Sequence, residues 1–244
     1  MNLNELTNKK NIILTKRGNR AILLALRYAK NKGYEHLYFA DQGSWITYEQ
    51  YGRKLKFKLH RLMTEKGLIK FNRIKENAAV IFNDMPSYAF LQNEFNPEEL
   101  KKKNILSIGD ITGSIGTRIC KADILVCSFS DTKMIDVGSG GCIASDLDLE
   151  LEDEFDEKEL IQQRIDELPD RLKFLRQKRE EIISKIGKDK VIHYDPKGIN
   201  ILTKKDSSVK IYCESQKLTI KECPMDIKIK EPAYSIEVQE LKHI

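Results

Sequence analysis

Apolar residues in the first 145 positions fall into two kinds of run. The longer is Ala21-Ile-Leu-Leu-Ala-Leu-Arg-Tyr-Ala29, which reads as a buried helix ending near Asn31-Lys-Gly33, where glycine can supply a C-cap. The shorter runs are His36–Ala40, Ala78–Phe82, Asn104–Ile108 and Asp123–Cys127. Polar or turn-forming residues close them, as in Asp41-Gln-Gly-Ser44 and Asn83-Asp-Met-Pro86. Nearly continuous apolar strands separated by helices predict an α/β fold with a mostly parallel sheet flanked by helices on both faces. Ligands of such sheets sit beyond the carboxyl ends of the strands. Gln42, Asn83, Asp110 and Ser128 fall there.

The pattern changes after Asp146. From Asp146 to Glu159, nine of fourteen residues are acidic, Glu150, Glu152, Asp153 and Glu154 among them. A block of like charge between structured regions reads as a solvated hinge. Beyond it, Leu160, Ile161, Ile165, Leu168, Leu172 and Leu175 recur at helical spacing, and Ile182, Ile183 and Ile186 continue the stripe. Pro169 either starts a second helix there or kinks a long one. Short alternating pieces follow: Val191–Tyr194, Ile199–Leu202, Val209–Cys213, Leu218–Ile220 and Tyr234–Val238, all expected as strands. The expected division is a large domain over 1–146, an acidic hinge over 147–159 and a reduced C-terminal α+β domain over 160–244.

Composition narrows the function classes. With 41% apolar and 32% charged residues, the chain can build an ordinary core. Its net charge of +5 comes from 42 basic residues interleaved with 37 acidic ones. The nearest basic clusters, Lys54–Lys58 and Lys101–Lys103, look like solvated helix faces, so nucleic acid is not an expected partner. Cysteines 120, 127, 142, 213 and 223 form no C-x-x-C pair, and no histidine stands at ligand spacing, which predicts buried thiols and no metal site. His36, His60, His193 and His243 show no convergent partner in the sequence. No signal pattern opens the chain and no apolar run reaches the roughly 20 residues of a membrane span, so a cytoplasmic protein is expected.

Candidate chemistry concentrates between Ile105 and Asp146. Ser107-Ile-Gly-Asp-Ile-Thr-Gly-Ser-Ile-Gly116 ends a strand on an acid. Ala122-Asp-Ile-Leu-Val-Cys-Ser-Phe-Ser-Asp-Thr-Lys133 ends the next on serines with a lysine beyond, and Gly138-Ser-Gly-Gly141 follows. Upstream lies Leu14-Thr-Lys-Arg-Gly-Asn-Arg-Ala21. Together these segments resemble the DegT/DnrJ/EryC1/StrS aminotransferases and, more loosely, the fold-type-I transferases that use pyridoxal 5′-phosphate (PLP). The resemblance covers about residues 12 to 146 and implies a C-terminally shortened member, because the chain after Lys133 is shorter than in full-length relatives.

The resemblance implies an aminotransferase working on an amino donor and a keto acceptor, a sugar or a small keto acid. It makes Lys133 the lysine that bonds the cofactor's aldehyde and later shuttles a proton. Asp110 would keep the pyridine nitrogen protonated. Gly18, Asn19 and Arg20 at a helix start, with Ser128, would hold the phosphate. Trp45 would stack on the ring, while Asn83 and Gln42 would make polar contacts to ring or substrate. A homodimer is implied as well. Each residue also has a plainer reading: a surface lysine, a helix cap, a strand-end hydroxyl, a turn, or core packing for Trp45. A catalytically degenerate member, acting as a cofactor-binding or protein-interaction module, is the competing reading. The family's Gln or His soon after the aspartate is replaced here by Ile111-Thr-Gly-Ser114, and its acidic residue in the glycine turn by Ser139.

Overall fold

The structure, a computed structural model, describes residues 1–149, 153 and 155–242. Part of the acidic hinge, Glu150, Glu152 and Glu154 included, and also His243, lies outside the described residues. In chain order the elements are α1 (Leu3–Thr7), β1 (Asn11–Thr15), α2 (Gly18–Asn31), β2 (His36–Ala40), α3 (Ile46–Lys54) and β3 (Lys58–Leu62). A small hairpin, β4 (Thr64–Glu65) and β5 (Leu68–Ile69), leads to β6 (Ala78–Asn83), α4 (Pro97–Lys102), β7 (Leu106–Asp110), β8 (Ile124–Ser128) and β9 (Gly141–Ser145). The remainder is α5 (Lys158–Ile186), β10 (Ile201–Lys204), α6 (Ser207–Ser215), β11 (Ile220–Cys223) and β12 (Ala233–Ile236).

Seven strands form one sheet in the order β1-β9-β8-β7-β6-β2-β3. The run from β8 to β3 is parallel, and β9 and β1 join it antiparallel at one edge. Alternation along the central strands explains the burial of both faces. Ala79 and Ile81 of β6 face a layer containing Ala21, Leu24 and Ala25 of α2 and Tyr48 of α3. Val80 and Phe82 face the opposite layer, which holds Leu168, Leu172 and Leu175 of α5 together with Ile201 and Tyr234 of the C-terminal part. That second layer is one continuous apolar cluster joining the large sheet, the long helix and the C-terminal segment.

Three strands were not legible locally. β3 sits at the sheet edge with an exposed-to-buried pattern; its first residue, Lys58, belonged to a stretch expected as a solvated helix face. β9 begins inside the glycine-rich turn, and β1 is only half-buried. Pro169 lies within a single 29-residue helix. That helix is about 43 Å long at 1.5 Å per residue.

The C-terminal part forms a second, antiparallel sheet in the order β10-β12-β11. One expected strand is a helix instead: Val209–Cys213 lies inside α6. Its β-branched and aromatic residues suggested a strand, but Asp206 accepts from the Ser208 amide at 2.8 Å and starts the helix. Val191 makes only an isolated bridge to Thr203. Among the described residues no helix is long and apolar enough to cross a membrane. All five cysteines are buried free thiols, as the sequence predicts.

Candidate active site

A cavity of about 590 Å³ opens beyond the carboxyl ends of β6, β7 and β8. Asn83 and Asp110 are register partners at the ends of β6 and β7, and Ser128 closes β8. Gly18, Asn19, Trp45, Asn83, Asp110, Ser128 and Lys133, spread over 116 positions of sequence, all line it. Two expected members lie elsewhere. Arg20 points to Asp153 at 3.3 Å, and its near neighbour Arg17 lines the cavity in its place. Gln42 is buried and accepts from the Lys230 amide, tying the loop after β2 to the C-terminal segment.

The start of α2 is pressed against the strand ends. A Cβ on Gly18 would lie 2.5 Å from the Ser128 Cβ, and one on Gly141 would lie 2.5 Å from the Cys127 carbonyl oxygen. Only glycine at both positions allows the helix start to reach Ser128. The Arg17 N-cap has no side-chain hydrogen bond, so the positive end of a 14-residue helix faces the cavity beside the Ser128 and Ser130 hydroxyls, which lie 3.1 Å apart. Trp45 Nε1 donates to Asn19 Oδ1 at 2.9 Å, holding the indole at the cavity rim.

Asp110 is buried with both carboxylate oxygens engaged. Tyr48 Oη donates to Oδ2 at 2.7 Å, while the Thr112 amide and hydroxyl donate to Oδ1 at 3.0 and 2.6 Å. No helix follows Asp110, so the capping role is absent; it anchors a turn and presents a fixed carboxylate. Burial, then the Asp110 charge, drives the Tyr48 phenol well above its ordinary pKa, so it remains a donor. The Thr112 hydroxyl in turn accepts from the Ser128 amide at 3.0 Å, linking carboxylate and serine.

Lys133 sits half-buried on the loop after β8, whose shape depends on Gly138 and Gly140 at φ of 80° and 86°. Asp136 accepts from the Thr132 and Gly138 amides and holds the loop. No salt bridge of 4 Å or less reaches Lys133 from the described residues; its Nζ lies 5.8 Å from the centre of the Tyr88 ring. Burial lowers its pKa, and Asp110 only partly opposes that.

Other lining residues were not foreseen. Ser87 and Tyr88 are consecutive non-glycine residues at φ of 55° and 61°, a conformation costing on the order of 1–3 kcal/mol each. Tyr88 takes the space left by the missing side chain at Gly113, where a Cβ would lie 3.1 Å from Tyr88 Cδ1. Lys221, Lys228, Glu237, Gln239 and Glu240 form the far wall. No local sequence signal marks them, because they reach the cavity only through the packing of the second sheet. His36 and His60 also depart from expectation: on adjacent strands, their Nδ1 and Nε2 atoms lie 2.8 Å apart, away from the cavity. His193 binds the Glu65 carbonyl at 2.8 Å.

No family model matches the chain, and no curated protein matches it. Solved structures do. A DegT DnrJ EryC1 StrS aminotransferase from Brucella abortus superposes with a TM-score of 0.70 at 12% identity, covering 96% of this chain and 82% of that one. The fold is that of these aminotransferases. A 3-amino-5-hydroxybenzoic acid synthase shares this aminotransferase fold at a TM-score of 0.71 and 10% identity, over 96% of this chain and 83% of its own. An E. coli GDP-4-keto-6-deoxy-D-mannose-3-dehydratase with bound hydrated PLP does so at 0.68 and 13%, over 90% and 75%.

Proposed function

We propose that the protein is a PLP-dependent aminotransferase. The observation that carries this reading is convergence. One cavity of the aminotransferase fold holds a lysine with a lowered pKa and no salt bridge to the described residues, a fixed buried carboxylate, and an uncapped helix start backed by serines. Its volume of about 590 Å³ suits a cofactor with a small substrate. That structures of the same fold hold bound hydrated PLP or PMP supports the choice of group.

PLP, when bound, supplies an electron sink for cleavage of a bond at the amino-bearing carbon. The chain's residues supply the rest. The α2 start, Ser128 and Ser130 take the phosphate. Asp110, braced by Tyr48 and Thr112, holds a proton on the ring nitrogen. Trp45, tied to Asn19, covers the ring. Lys133 would hold the cofactor through its aldehyde carbon, with loss of water, and would move a proton at the substrate carbon, for which a lowered pKa suits it. In this reading residues 1–146 form the cofactor half, 147–159 a hinge and 160–244 the substrate half. The working unit is a cytoplasmic homodimer, consistent with the exposed Trp45 and Ile46 beside the rim. Incubation with PLP followed by borohydride and peptide mapping tests the assignment: the label belongs on Lys133.

A further inference from the structure

Two buried side chains in the cavity have polar atoms with no partner among the described residues: Ser87 Oγ and Gln239 Oε1. Each residue is only 5% exposed. A buried acceptor left unmet is costly, so a group that visits the cavity is the natural partner.

We propose that Ser87 and Gln239 form the subsite for a neutral hydroxyl group of the substrate; this rests on the aminotransferase reading above. The Gln239 amide is oriented by its neighbours. Its Nε2 donates to Glu237 Oε2 at 3.2 Å, which leaves Oε1 as the free acceptor. One buried residue, Asn200, holds both halves of the subsite. Its Oδ1 accepts from the Gln239 backbone N–H at 3.0 Å, and its Nδ2 donates to the Ser87 backbone carbonyl at 2.8 Å.

The charge of the wall selects the ligand's chemistry. Glu237 Oε1 accepts from Lys228 Nζ at 2.7 Å and from Ser235 Oγ at 2.6 Å. Its Oε2 accepts from Lys221 at 3.0 Å as well as from Gln239. Lys221 also binds Glu240 at 3.0 Å. Two lysines therefore face two glutamates, and all four are committed to one another. A carboxylate or phosphate would set its acceptors against Gln239 Oε1. An ammonium would meet carboxylates on this wall that are already paired with lysines. A hydroxyl donates to the amide oxygen and exchanges a hydrogen bond with Ser87.

The test titrates PLP-loaded protein with three amines of similar length: propylamine, 3-amino-1,2-propanediol and β-alanine, read by cofactor absorbance. A hydrogen bond between neutral groups corresponds to roughly two- to tenfold in affinity. The diol should half-saturate at roughly tenfold lower concentration than either competitor. Gln239→Met and Ser87→Ala should each cut that preference severalfold, and either variant suffices if the other fails to fold. Equal response to propylamine and diol overturns the subsite, as does a preference that survives both substitutions. A protein that forms no PLP adduct overturns the aminotransferase reading and the subsite together; an adduct without hydroxyl preference overturns the subsite alone.

Discussion

The two walls of the cavity are built by different physics. One wall hangs on the ends of parallel strands, where Asn83 and Asp110 are register partners and Ser128 closes the next strand. The opposite wall is a charge network, with Lys228 and Glu237 buried and Lys221 half-exposed, brought in by a separate three-stranded sheet. A strand-end site tolerates local change if the strand pairs persist. A buried charge network fails as a unit, because each ion depends on its partner.

The largest test of that contrast is Lys228→Met. Lys228 and Glu237 are 6% and 2% exposed at the side chain. Removing the cation alone should cost roughly 3–5 kcal/mol by urea denaturation, with much of the loss recovered in Lys228→Met/Glu237→Leu. Breaking the solvent-screened Lys205–Glu222 pair should leave the urea midpoint essentially unchanged.

On the cofactor wall, Gly18→Ala forces a methyl group against Ser128. It should cost roughly 1–3 kcal/mol and weaken PLP affinity, measured by equilibrium dialysis, while the secondary structure stays intact. Tyr48→Phe removes one donor from buried Asp110, for a loss of roughly 1–3 kcal/mol in denaturation. It should also disturb the cofactor spectrum, which a purely structural role would leave unchanged.

How much of this was legible in sequence follows the same divide. β2, β6, β7 and β8 showed themselves as apolar runs because both faces of the sheet are covered. Asp110, Ser128 and Lys133 were singled out by a resemblance in motif order, and the strand ends bring them to one cavity. Ser87, Gln239 and the lysines of the far wall were not, since Asn200 reaches Ser87 across 113 residues and Gln239 across 39, and the second sheet carries the lysines. α6 was misread because a helix cap outweighed β-branched residues. The His36–His60 pair went unseen because β3 was not recognised as the neighbour of β2.

The smallest effect concerns pH. Burial lowers the Lys133 pKa, so its neutral amine is available below the ordinary lysine value of about 10.4. The rate of PLP uptake should rise with pH through a midpoint under that value, and a midpoint at or above it would show that the amine is not buried in solution.

The central claim is that Lys133 bonds the cofactor. The direct measurement is mass-spectrometric mapping of the borohydride-reduced PLP adduct in the wild-type protein and in Lys133→Ala. The account requires one label on Lys133 and none in the variant. A label on another lysine, or an adduct that persists in Lys133→Ala, would contradict it.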